Sequence, residues 1–190
     1  MSASANGAGS AARIRELGAS EARERIAALS ATLIDCVEGG AGVSFMAPLT
    51  RDRADAFWGE VAAGVAAGER RLLVAEDPAG DIVGTVQLVF AWPENAPHRA
   101  ELVKMLVRRS ARRQGIARGL LVAAEDAARA AGKTLLVLDT VTGSDAERLY
   151  AALGWTRLGA IPDYALMPDG RLCDTTVFYK RLTEPAATPG

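Results

Sequence analysis

A chain of 190 residues and 19.9 kDa suits one domain and is long enough to bury a full core without disulfides or metals. With 49% apolar and 24% charged residues, it is not a disordered tail, a collagen or a disulfide scaffold. A formal net charge of −1 gives no overall basic field for nucleic acid, and the apolar stretch 120–131 carries Glu125, Asp126 and Arg129, which excludes it as a membrane span.

Residues 1–11 are Ala, Ser and Gly with no apolar core of a signal peptide, so a disordered tail and a reduced, cytoplasmic setting are expected. Residues 12–181 form the expected domain, and 182–190 a second frayed tail. A strand over 13–17 precedes a helix that Ser20 caps and that runs to about Val37, with Ile26, Leu29, Leu33 and Cys36 on one face. Gly39-Gly40 ends it. Thr50 caps a second helix to about Ala67, with Phe57, Val61 and Val65 as its apolar face. Strands over 70–75 and 82–91 flank the turn sequence Asp77-Pro78-Ala79-Gly80 and read as a hairpin. The strand over 100–107 places Glu101, Val103, Met105 and Val107 on one face and Leu102, Lys104 and Leu106 on the other. A helix over about 115–131 follows. The run 135–138 is continuously apolar, as in a strand covered on both faces. Ser144 and Glu147 form a capping box for a helix to Leu153, and strands near 156–160 and 175–180 complete the order βααβββαβαββ, an α/β domain with a mixed sheet.

Cys36 and Cys173 are far apart and read as small buried hydrophobes; with His98 as the one histidine, in a Pro-flanked loop, there is no zinc-binding cluster. The informative unit is the turn from strand to helix at Arg112-Arg113-Gln114-Gly115-Ile116-Ala117-Arg118. Such a turn aims the first free N–H groups of the helix outward, and together with the helix dipole these bind phosphate oxygens. Gly115 lets a ligand come close to the backbone, Ala117 keeps the approach narrow, and Arg112, Arg113 and Arg118 supply charge. Neither GxxxxGK[ST] nor GxGxxG is present.

This loop, with Ala146, Leu149-Tyr150 and Leu153-Gly154-Trp155 after it, resembles the signature of the GCN5-related N-acetyltransferases over about residues 13–181. A narrower resemblance, to the tabtoxin-resistance acetyltransferases, lies in residues 39–46, in Leu138-Asp139-Thr140 with Gly143-Ser144, and in 168–172. The family resemblance implies a single domain with splayed central parallel strands and acetyl-CoA as co-substrate. It implies that Arg112 to Arg118, with Gln114, Gly115, Ile116 and Ala117 between them, hold the pyrophosphate, while the backbone of Leu106 and Val107 meets the pantetheine arm. It also implies a small-molecule amine acceptor, no metal, no nucleic-acid or membrane partner, and a possible homodimer. Many family members carry an Asn where this chain has Gly143, so a side-chain contact to the cofactor is lost there.

The resemblance further implies direct transfer, which fits the absence of a Cys beside a base and of a GxSxG elbow. Glu101 and Asp139 are the candidate bases, one binding the ammonium and the other relaying its proton, in an order the sequence leaves open. Tyr150 is the candidate acid for the leaving thiolate. Phe45, Met46, Trp92 and Tyr164 are candidate pocket walls, and Arg171 a candidate carboxylate partner. Acetylation of a peptide and a non-catalytic CoA sensor are the alternatives.

Overall fold

The computed structural model describes residues 12–182; segment 1–11 and residues 183–190 of the expected tail lie outside the described residues. Seven strands form one sheet: β1 (Arg13–Leu17), β2 (Arg70–Glu76), β3 (Ile82–Phe90), β4 (Arg99–Val107), β5 (Leu135–Val141), β6 (Thr156–Leu166) and β7 (Leu172–Arg181). Their spatial order is β1-β2-β3-β4-β5-β7-β6, and every neighbouring pair is antiparallel except β4 with β5. Helices α1 (Ala19–Glu24), α2 (Ile26–Glu38) and α3 (Arg51–Ala66) cover one face, and α4 (Ile116–Ala130) and α5 (Asp145–Ala152) the other. The first face is sealed by Leu29, Leu33, Trp58, Leu72 and Ile82, and the second by Leu73, Val86, Leu120, Leu136 and Phe178.

The expected element order is present, with local corrections. The first helix is two helices, opened at Arg25 (φ −98°, ψ 8°). Arg25 reaches away to the Glu76 carboxylate at 3.2 Å and the Gly80 carbonyl at 2.7 Å, which draws the backbone out of line. Gly18, not Ser20, is the N-cap; the Ser20 hydroxyl bonds Glu24 instead, at 3.2 Å. Thr50 caps α3 as expected, accepting from the Arg53 N–H at 3.4 Å, and Trp58 joins Val61 as the buried face while Phe57 and Val65 are only partly buried. The last two strands run longer than their apolar residues suggested, because an edge strand tolerates Pro162: the register shifts between Ile161 and Ala165, and Asp163 sits at φ 51° in the bulge. Leu182, assigned to the tail, is buried and donates its N–H to the Thr134 carbonyl at 2.9 Å.

β1 and β2 are tied together by charge. Arg15 donates to Glu76 at 2.7 Å and also pairs with Glu21, and Arg25 adds a third contact to Glu76, which is 7% exposed. Arg15 holds both carboxyls below their usual range. A carboxyl with a depressed folded value stabilises the fold above its unfolded pKa, about 4.3, and that stabilisation is lost as pH falls through the folded value. Glu76→Gln should therefore lower stability by about 1.5–3 kcal/mol at pH 7. The gap from wild type should narrow below the unfolded carboxyl value of about 4.3 and close only once Glu76 is protonated in the folded state as well; urea titrations at pH 7 and stepwise into the acid range measure this.

Candidate active site

The central parallel strands separate. β4 and β5 pair only from Arg99–Glu101 to Leu135–Val137, although β4 runs on to Val107 and β5 to Val141. The cause lies in β4. Its register against β3 shifts by one residue between Gln87↔Val103 and Thr85↔Leu106, so Val86 faces both Lys104 and Met105. Lys104 takes φ 53°, and its carbonyl accepts from the Thr85 hydroxyl at 3.0 Å. The extra residue reverses the alternation expected from the sequence: Ala100 and Leu102 face α4 and α5 before the bulge, whereas Met105 and Val107 do so after it, and Leu106 turns to the α1–α3 side. Glu101 therefore does not share a face with Met105.

At the open end of β4, a single 3-10 turn (Arg109–Ala111) leads into α4. Arg113 (φ 64°) and Gly115 (φ 78°) are both left-handed, which turns successive backbone N–H groups inward. Between Arg113 and Ala117 none of these donors has an acceptor among the described residues, and a Cβ on Gly115 would meet nothing within 4 Å. The loop borders a groove of about 510 Å³ that is also walled by Leu106, Val107, Ala146 and Leu149. Arg112, Arg113, Gly115, Ile116, Ala117 and Arg118 all line it; Gln114 does not, and its amide donates to the Ser110 carbonyl at 3.5 Å. The Val107 carbonyl accepts from the Cys36 thiol at 3.4 Å and from Arg112 Nε at 3.3 Å.

A second cavity, of about 480 Å³, adjoins the groove and shares Ala41, Met105, Arg112, Asp145 and Ala146 with it. Asp139 and Tyr150 both line this cleft. β5 continues past Asp139, so this carboxylate projects from within the strand rather than from its exit, and Oδ2 accepts from the Thr175 hydroxyl at 3.3 Å. Tyr150 is 4% exposed, its ring packed on Trp155 and Phe178. Burial, with the Asp139 charge nearby, pushes its hydroxyl well above the ordinary tyrosine value, so it is protonated at neutral pH. Segment 39–49 crosses the cleft. The Ala47 N–H donates to the Pro168 carbonyl at 3.0 Å, and a Cβ on Gly42 would stand 2.7 Å from Val141, so only glycine seats the strap this close.

Other candidates sit elsewhere. Glu101 is exposed and outside the cleft lining. His98 lies at the opposite end of β4, where its carbonyl accepts from Thr134 and Leu135. Trp92 is 92% exposed, and Arg171 pairs with Asp169 in its own turn at 2.8 Å. Phe45 packs edge-on against Phe57, Met46 is exposed, and Tyr164 does line the cleft. Gly143 (φ 78°) holds the turn into α5: its N–H donates to Glu147, and its carbonyl accepts from Arg148. Lys104, Ser44, Arg148 and Cys36 line the two cavities and were missed. A cation between Leu102 and Leu106 on one face of the strand was the available signal for Lys104. Among the described residues no group of three or more His, Cys, Asp or Glu is placed to hold a metal, and no helix is long and apolar enough to cross a membrane.

The sheet thus parts beside a cradle of free backbone N–H groups. A sequence profile of the acetyltransferase (GNAT) family matches residues 43–155, and the chain belongs to that family. The uncharacterized N-acetyltransferase in the hisH–hisA intergenic region of Azospirillum brasilense is 36% identical over 107 residues, 55% of this chain and 61% of that protein. The chain thus spans about three-fifths of that relative's length. Among solved structures, yncA of Salmonella typhimurium, with its cofactor acetyl-CoA, is 24% identical with a TM-score of 0.75, covering 95% of this chain and 99% of that one. The ribosomal-protein-alanine N-acetyltransferase of Brucella melitensis is 25% identical with a TM-score of 0.73, covering 90% and 99%.

The groove makes a chemical prediction. Burial pushes the Cys36 thiol up to about 11, so it stays protonated at pH 8. Cys36 should react with a thiol-specific alkylating reagent at least about a hundredfold more slowly than a free cysteine of ordinary pKa. Peptide mapping after timed alkylation reads the rate.

Proposed function

We propose that the protein is an acetyl-CoA-dependent N-acetyltransferase that moves the acetyl group directly to the amine of a small molecule. The observation that carries this reading is the parted sheet, with free backbone donors at the mouth of one cavity and Asp139 with Tyr150 in the adjoining one. The two cavities share walls, so both substrates fit side by side without an acyl-enzyme. The cradle from Arg113 to Ala117 suits a pyrophosphate, because its N–H groups have no other acceptor and Gly115 leaves the space open.

The thioester supplies the acetyl group: a bond forms between the amine nitrogen and the carbonyl carbon, and the carbon–sulfur bond breaks. Asp139 holds the incoming ammonium and takes its proton. Tyr150, protonated in its buried site, gives a proton to the departing sulfur. Glu101, exposed and off the cleft, contributes to the local field rather than touching the amine. Closure of the cleft by segment 39–49, seated on Val141, Met167 and Pro168, favours a small acceptor over a peptide chain. An amino-acid-like toxin or antibiotic is the finer form of this reading, supported by the resemblance of residues 39–46, 138–144 and 168–172 to the tabtoxin-resistance acetyltransferases.

A thiol-release assay with acetyl-CoA against amino acids, dipeptides and amine antibiotics tests the reading; acetylation of peptides but of no free amine overturns it. Gly115→Asp puts negative charge into the cradle and should weaken acetyl-CoA binding at least about tenfold, or about 1.4 kcal/mol. Calorimetry measures this, and an unchanged affinity removes the cradle assignment. Asp139→Asn and Tyr150→Phe should each lower kcat by about 10²–10⁴ while acetyl-CoA still binds.

A further inference from the structure

The cleft holds a cation that the reaction just described does not use. Lys104 sits in the bulge of β4 and lines the cleft with Asp139. Its ammonium donates to the Ser44 hydroxyl at 3.2 Å and lies 5.9 Å from the centre of the Phe57 ring. It forms no salt bridge among the described residues, although Asp139 and Glu101 are near enough to be felt. Burial pushes this lysine below its ordinary value, and the two carboxylates pull it partly back. A partly buried ammonium held by one neutral hydroxyl has hydrogen-bonding capacity left over, since it carries three donors.

The backbone is strained to put it there. Lys104 has φ 53° and Ser44 has φ 71°, and neither is glycine. Non-glycine residues seldom adopt this region, because the Cβ crowds the following carbonyl, and here two such residues, distant in sequence, meet side chain to side chain. Strain of this kind persists where the surroundings impose it and gathers at ligand sites.

We propose that Lys104, set by Ser44, receives an anionic group, a carboxylate foremost, on the amine that this cleft acetylates, so that the acceptor class is amino acids and their zwitterionic analogues. The inference rests on the acetyltransferase reading. One wall of the cleft offers Asp139 to an ammonium, and another offers Lys104 to a carboxylate. A zwitterion satisfies both charges, whereas a simple amine leaves Lys104 half-solvated. Lys104 acts as a specificity residue: it binds the part of the acceptor that does not react. Arg171, assigned this role from the sequence, does not line the cleft and pairs with Asp169 in its own exposed turn.

The test pairs each amino acid with its decarboxylated amine: lysine with 1,5-diaminopentane, methionine with 3-(methylthio)propylamine, leucine with 3-methylbutylamine. Wild-type protein and the variants Lys104→Met and Lys104→Arg are assayed by thiol release, and acetyl-CoA affinity is measured for each by calorimetry. Wild type should favour at least one amino acid over its amine by at least about tenfold in kcat/KM. Lys104→Met should erase that ratio through KM, and Lys104→Arg should keep most of it. Equal or better use of every amine by wild type overturns the inference and leaves the acetyltransferase reading standing. So does a Lys104→Met protein that binds acetyl-CoA and keeps the wild-type ratio. Failure of wild type to bind acetyl-CoA overturns both.

Discussion

Everything at the site follows from one extra residue in β4. With regular pairing to β3, the strand would run flat beside β5 and its side chains would alternate to the end. The bulge opposite Val86 turns the strand, reverses the faces of Met105, Leu106 and Val107, and parts it from β5 after only three paired residues. The gap between the parted strands is what the groove and the cleft occupy. Thr85 fixes the bulge from the neighbouring strand through its hydroxyl, so the opening is held by the core and not by the loops around it.

Two kinds of electrostatics then divide the gap. At the mouth, fixed backbone dipoles line the groove, and Asp145, the acid in that lining, is already engaged by Arg148 and Arg113, so it does not stand free against an anion. Inside, the polar groups are single side chains: the exposed Asp139, the partly buried Lys104 and the buried, protonated Tyr150. Oriented N–H groups suit a multiply charged anion that stays in place through the reaction. Single charges on the two parted strands suit a ligand that carries charges of its own.

The fold was legible because its punctuation is local. Gly39-Gly40, the Asp77–Gly80 turn and the Ser144 cap are each settled within four or five residues, and the structure keeps all of them: Asp77 Oδ1 accepts from the Ala79 and Asp81 N–H groups, and Ser144 accepts from Glu147. The strand-to-helix loop was legible for the same reason. What escaped depended on distant partners. The break at Arg25 is made by Glu76 and Gly80, and Trp58 is buried by a sheet its own helix does not encode. The bulge was invisible because it is a matter of pairing with β3: the local sequence shows only that Lys104 interrupts the apolar face of Leu102 and Leu106. Its consequence was a wrong partner for Glu101 and an overlooked role for Lys104.

The strand order carries a cost during synthesis. β5 lies between β4, with which it shares three residues of pairing, and β7, which covers its full length from Leu135 to Val141. β7 is the last strand of the described chain, and its Lys180 also closes the buried Glu125 on α4 at 2.7 Å. Until β7 leaves the ribosome, β5 has an open edge and Glu125 has only Arg129 of its own helix, at 3.6 Å, as a cation. The N-terminal half, β1 to β4 with α1 to α3, has its own core by then. The nascent chain therefore carries an unpaired strand edge, open to pairing with other chains, until β7 emerges and covers it.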